Sequence, residues 1–207
     1  MFRKVGVVYI LATVAGLFTA GAQADPIRIV ALGHSAFAYP GGPSKDDYPA
    51  LLEAALRARG HDVTVANAGV WGDTTRGVMI RLDRAVPDET RIVLLHIGNN
   101  DRAEGRPRAE WQANTDVIVA RLRAKGAKVI QFREGPPDPP LKYSDEGGTV
   151  PLVEVLPDRI VIPSIRRNIP PEATSMNGHL MAAGNRMVVD RTLPVVEQVM
   201  AETKQGR

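Results

Sequence analysis

Short apolar runs alternate along this chain with segments whose apolar residues recur every three to four positions. "IRIVAL" (27–32) is β-branched, closes on Gly33 and reads as a buried strand. In "DYPALLEAALRARG" (47–60), Tyr48, Leu51, Leu52, Ala55 and Leu56 share one face, Pro49 lies in the first turn and Gly60 closes the segment, as in an amphipathic helix. The alternation continues with a strand at 62–68, a helix at 74–86 weakened by Gly77, and a strand at 91–98. A helix at 108–126 follows, with Trp111, Val117, Ile118 and Leu122 inward, and then a strand at 127–132. Residues 134–158, which include Tyr143, are rich in proline and glycine and read as a surface excursion. "RIVIPSI" (159–165) is a short fifth strand, and 180–202 a final helix that Pro194 is expected to kink or break.

Strands alternating with helices imply a parallel sheet with helices on both faces. The near-continuous apolar run at 91–98 suits a strand covered on both sides. The expectation is one α/β domain, a three-layer αβα sandwich around a parallel sheet of about five strands.

The first 24 residues stand apart. "MFRK" is basic, residues 5–20 are apolar and uncharged, and Ala22 and Ala24 are the small residues that signal peptidase reads. The apolar run is shorter than the roughly 20 residues that span a bilayer. Residues 1–24 therefore read as a signal peptide and 25–207 as an exported domain, periplasmic or secreted. Cleavage leaves 183 residues and lowers the formal charge from +3 to +1, so the basic balance implies neither nucleic acid nor acidic partners. No second membrane span follows. The absence of cysteine excludes a disulfide framework and a thiol nucleophile. Neither metal nor cofactor is expected: no ligand spacing, phosphate loop or dinucleotide fingerprint occurs, nor does a GxSxG elbow.

Ligands of parallel α/β sheets bind beyond the carboxyl ends of the strands. The expected strand ends lead into "GHSA" (33–36), "NAGVWGDTT" (67–75), "GNND" (98–101) and, later, "MNGH" (176–179). Taken singly, Ser35 could cap a helix, Gly69 and Gly72 could permit a turn, Asn100 and Asp101 could be turn formers, and His179 a surface cap. Four such blocks, in order along one rim, favour a site.

This order and spacing resemble the SGNH hydrolases, or GDSL esterases and lipases, over nearly all of residues 27–202. "GHSA" matches the family's first block, Gly72 the glycine of the second, Gly98, Asn100 and Asp101 the third, and "MNGHLMAAG" the last. The resemblance implies a flavodoxin-like fold, with Ser35 as nucleophile and His179 as its base. The oxyanion hole would comprise the N–H groups of Ser35 and Gly72 and the Asn100 amide. Asp101 would brace the Asn100 loop. Asp73 would support the site or, followed by two threonines, cap the next helix.

Two positions depart from the family. Its acid lies three residues before the histidine, where this chain has Met176, and a thioether cannot usefully accept an imidazole N–H. A backbone carbonyl from 174–177, giving a Ser–His dyad, or Glu172 could take that place; Asp190 is a poorer choice. His34 stands beside the serine, either turned into the loop behind it or as an alternative base. His96 reads as core or rim, and His61 as an exposed turn residue. The leading expectation is an exported serine ester hydrolase of arylesterase, lysophospholipase or thioesterase type. The alternatives are a catalytically weak or inactive binding protein on the same fold, favoured by Met176 and His34, and a polysaccharide O-deacetylase.

Overall fold

Alternate residues of the first strand face opposite ways, and both ways are apolar. In β1 (Ile27–Gly33), Ile27, Ile29 and Ala31 enter one buried cluster while Val30 and Leu32 enter another. A strand with two apolar faces must be covered on both. The computed structural model describes residues 25–38, 44–133, 153–163 and 165–205. Residues 1–24, which the sequence reads as a signal peptide, and most of the excursion, Tyr143 included, lie outside the described residues.

Helices α1 (Tyr48–Ala58) and α5 (Ala182–Gln205) cover one face, with Leu52, Leu56, Val196 and Val199 fully buried. On the other face, α2 (Thr75–Ala85) and α4 (Arg108–Ala124) contribute Val78, Leu82, Ile118 and Leu122. Each such side chain is worth about 1.5–3 kcal/mol when fully buried. Between the helices lie β1, β2 (Val63–Gly69), β3 (Ile92–His96), β4 (Lys128–Phe132), β5 (Glu154–Val155) and β6 (Ile160–Ile162), in the order β2-β1-β3-β4-β6-β5. This is the expected three-layer α/β domain. All pairings are parallel except that of β5, which lies antiparallel on β6.

The register places the site. Gly33 pairs with Gly69 and His96, and His96 with Phe132, so four strands end abreast. The order reverses between β1 and β3, the switch point at which open α/β sheets bind ligands.

Several details depart from the sequence expectations. β5 arises within the excursion and makes the sheet six-stranded; two residues carry no alternation to detect. A one-turn helix, α3 (Asn99–Ala103), follows β3. Gly98, its N-cap, has φ +96°, and a Cβ there would also meet Trp111 at 3.1 Å. Val117 is half exposed, because α4 turns Thr115, Ile118, Val119 and Leu122 inward instead. Helix α5 runs uninterrupted through Pro194. Both Pro194 and Asp190, whose carbonyl loses its intrahelical partner, are exposed, so water can satisfy that carbonyl. His61 is half buried, with Nε2 2.9 Å from Glu197 Oε1. No helix of the described residues is long and apolar enough to cross a membrane.

Candidate active site

The chain leaves β1 in a tight turn, closed by the Phe37 N–H donating to the His34 carbonyl at 3.0 Å, with Ser35 inside it. Across the rim, a small hairpin carries His179. Thr174 and Leu180 form an antiparallel bridge, and the Ser175 N–H donates to the His179 carbonyl at 2.7 Å. The hairpin tip is closed by the Gly178 N–H on the Ser175 carbonyl at 2.9 Å, and Gly178 takes φ +81°, a conformation that favours glycine. This tip brings two residues together from 144 positions apart: His179 Nε2 lies 2.9 Å from Ser35 Oγ.

The other face of the imidazole is also engaged. Nδ1 lies 3.2 Å from Asn177 Oδ1, where the sequence suggested a carbonyl or Glu172. Glu172 is exposed on the 3-10 turn Pro171–Ala173, and Met176 is fully exposed at the hairpin tip. The Ser175 hydroxyl accepts the His179 N–H at 3.1 Å and also lies against Asn177 Oδ1. The Trp71 ring stacks on the imidazole, centroids 4.5 Å apart and planes at 28°. Sequence reasoning missed both Asn177 and Trp71. An Asx side chain two residues from a histidine in a Gly turn is the signal that could have found the first.

The blocks after β2 and β3 are clamped together. Asn100 Nδ2 donates to the Asp73 carbonyl at 2.7 Å. Asp101 is fully buried and accepts from the Thr75 N–H (2.9 Å) and hydroxyl (2.7 Å), while Asn114 Nδ2 donates to that hydroxyl at 3.0 Å. Thr74 rather than Asp73 caps α2, accepting from the Gly77 N–H at 3.3 Å. The Asp73 carboxylate is taken instead by Arg81 Nε (2.7 Å), whose Nη2 donates to the Gly33 carbonyl at 3.0 Å. Asn67 ties the same corner together, donating to the Phe37 carbonyl at 2.6 Å.

A cavity of about 230 Å³ opens here, lined among others by Ser35, His179, Asn99, Asn100, Arg166 and Leu180. Gly72, at φ +70° beside Trp71, is exposed and is not among the lining residues. His34 is buried behind Ser35, its Nδ1 accepting the Ala36 N–H at 3.2 Å. Among the described residues, no group of three or more potential ligands could hold a metal ion.

His96, at the end of β3, is pushed down to about 3, first by burial and then by the Arg166 charge. Its native ring stays neutral at pH values where the unfolded chain, with an ordinary histidine near 6.5, binds a proton. Stability is therefore full above about pH 6.5 and falls as pH drops from there towards 3. The slope is at most about 1.4 kcal/mol per unit for this residue. Urea unfolding at pH 7 and pH 5 is expected to show that loss, and His96→Gln to reduce it. Equal pH sensitivity in the variant excludes His96 as its source.

Residues 31–170 match the model of the GDSL-like lipase/acylhydrolase family. An arylesterase of Vibrio mimicus is 33% identical over 129 residues, 61% of this chain and 64% of that protein. The esterase TesA of Pseudomonas aeruginosa is 33% identical over 109 residues, 52% of this chain and 54% of its own length. The matched stretches thus span between half and two thirds of these relatives. A crystal structure of TesA superposes with a TM-score of 0.68 at 23% identity, covering 83% of this chain and 99% of that one, which shows the shared fold.

Proposed function

Because this chain belongs to the GDSL-like lipase/acylhydrolase family, we propose that it is an exported esterase in which Ser35 and His179 form a catalytic dyad. The contact that carries this reading is Ser35 Oγ to His179 Nε2, 2.9 Å, on the wall of a cavity that Asn100 also lines. The two relatives described above are named as esterases, an arylesterase and TesA.

In the proposed cycle Ser35 Oγ attacks the ester carbonyl and its proton passes to His179 Nε2. The carbonyl oxygen becomes an oxyanion, stabilised by the Ser35 N–H and by the Asn100 amide hydrogen that Asp73 does not occupy. The Gly72 N–H is the third donor of the proposal. Collapse of the tetrahedral intermediate expels the alkoxide, which takes the Nε2 proton and leaves as the alcohol. Water, deprotonated by the same nitrogen, then releases the acid and restores Ser35. The family's acid is replaced by Met176, so no carboxylate from that position assists the imidazolium. That replacement also favours a second reading, a binding protein on the same fold with an unreactive serine.

Covalent labelling separates the two. Residues 25–207, treated with a fluorophosphonate, are expected to gain one adduct on Ser35 and to hydrolyse p-nitrophenyl acetate and octanoate. An unlabelled Ser35, with both esters at the buffer rate across pH 6–9, overturns the esterase reading in favour of the binding protein.

A further inference from the structure

A histidine that serves as a base needs two things from its surroundings. One group must hold the tautomer that leaves Nε2 unprotonated, and something must favour the ring once it carries a proton. A single carboxylate does both. This chain divides them, an inference that rests on the dyad reading above.

We infer that Asn177 and Trp71 are the two positioning residues of His179, Asn177 fixing its tautomer and the Trp71 face supporting its positive charge. The first half rests on hydrogen-bond chemistry. Asn177 Oδ1, 3.2 Å from Nδ1, accepts the Nδ1–H and so leaves the Nε2 lone pair for the Ser35 hydroxyl at 2.9 Å. The hairpin holds the amide, since the Ser175 hydroxyl lies against the same oxygen and itself accepts the His179 N–H at 3.1 Å. An amide is neutral, however, and adds little to the stability of an imidazolium.

The second half rests on the stack. A cation over an indole face is attracted by the ring quadrupole within about 6 Å of the centroid. Trp71 lies at 4.5 Å and 28° from the imidazole, close to parallel. Its ring is half exposed, so packing in the core does not explain its position. Trp71 also immediately precedes Gly72, so the turn that offers an oxyanion donor delivers the indole as well.

Among the described residues, the other titratable or charged groups facing this cavity are His34 after β1, Asp47 and Tyr48 at the head of α1, His96 on β3 and Arg166 after β6. Arg166 Nη2 donates to the Gly178 carbonyl at 2.6 Å, and Glu172 is the nearest acid along the hairpin's own segment. All remain in the variants below, so their influence is common to every comparison.

The test is the NMR titration of the His179 ring in residues 25–207, which needs no turnover. Asn177→Asp is expected to raise the midpoint by about 1 unit or more, as an adjacent opposite charge does. Trp71→Leu is expected to lower it by about 0.5–1 unit, and Trp71→Phe to recover part of that shift. The neutral wild-type ring is expected to be the Nδ1–H form, and Asn177→Ala to mix in the Nε2–H form. In ester hydrolysis, the acid limb of kcat/KM should move with these midpoints, and Asn177→Asp should raise kcat. An unmoved midpoint in either Asn177→Asp or Trp71→Leu, or a wild-type ring protonated on Nε2, overturns the two-part assignment. A wild type that neither labels nor hydrolyses esters overturns the esterase reading, while the ring titration still decides the roles of Asn177 and Trp71. Both side chains are exposed, so the variants should keep the wild-type melting temperature.

Discussion

Ser35→Ala and His179→Ala are each expected to lower kcat on p-nitrophenyl acetate by about 10²–10⁴-fold, and the double variant no further than the worse single one. The range follows from two magnitudes. Removing the serine or histidine of a complete serine triad costs roughly 10⁶, and replacing the orienting acid in such a triad up to about 10⁴. The proposed dyad, held by a neutral amide, would start from a lower rate and so have less to lose. The two losses should not add, because the proton that Ser35 gives up is the one His179 accepts across 2.9 Å. KM should change little, since neither side chain is needed to hold the acyl group in the cavity. Steady-state kinetics on the purified variants, corrected for the buffer rate, measure all three effects. Additive losses, or a His179→Ala enzyme at wild-type rate, show that the two residues do not act as a unit.

The layers of this protein were legible because their signals are short-range. β1 and β3 are apolar on both faces, and α1 repeats its leucines at helical spacing, so alternation and periodicity marked each. The rim was legible because glycines sit at or just after three strand ends, at Gly33, Gly69 and Gly98, and the polar blocks begin there. What escaped depends on contacts across the fold. α3 is one turn and β5 two residues, too short for either period. Trp71 and His179 meet only because the loop after β2 and the hairpin before α5 come together beside the turn that follows β1, and nothing in either local pattern encodes the meeting. The His179 hairpin turns on local bonds within 175–179, so its polar residues read as loop even though the turn fixes the Asn177 side chain against the ring.

The clamp between the second and third blocks bears on how such a site holds its shape. Among the described contacts, Ser35 and His179 are joined to the rest of the rim through loops rather than through a strand. Asp73, Thr75 and Asp101 join those loops without touching Ser35 or His179 in any bond described above. Asp101 is the costlier to disturb: an amide in its place would turn an N–H towards one of the two Thr75 donors, leaving buried groups unpaired at about 1–3 kcal/mol. Rigidity of this kind matters for an oxyanion donor, whose value lies in being placed before the charge develops.

Asn100→Ala is accordingly expected to lower kcat by about 10²–10³-fold with KM nearly unchanged, the loss usual for one oxyanion donor. Asn100 has two amide hydrogens. One is held by the Asp73 carbonyl at 2.7 Å, which fixes the plane of the amide and therefore the direction of the other. The alanine variant loses both, so a small stability cost of about 0.5–1.5 kcal/mol accompanies the kinetic one. Asn100→Asp separates the two contributions more sharply. It is close in shape, cannot donate to Asp73, and sets a negative charge where the oxyanion forms, so its kcat should fall below that of the alanine variant. Asp101→Asn provides the contrast: its main effect should be on unfolding, because that side chain bonds Thr75 and lies fully buried. Kinetics and urea unfolding on the three variants distinguish the roles. If Asn100→Ala raises KM while leaving kcat intact, Asn100 binds the ground state of the ester, and the oxyanion must be held by backbone N–H groups alone.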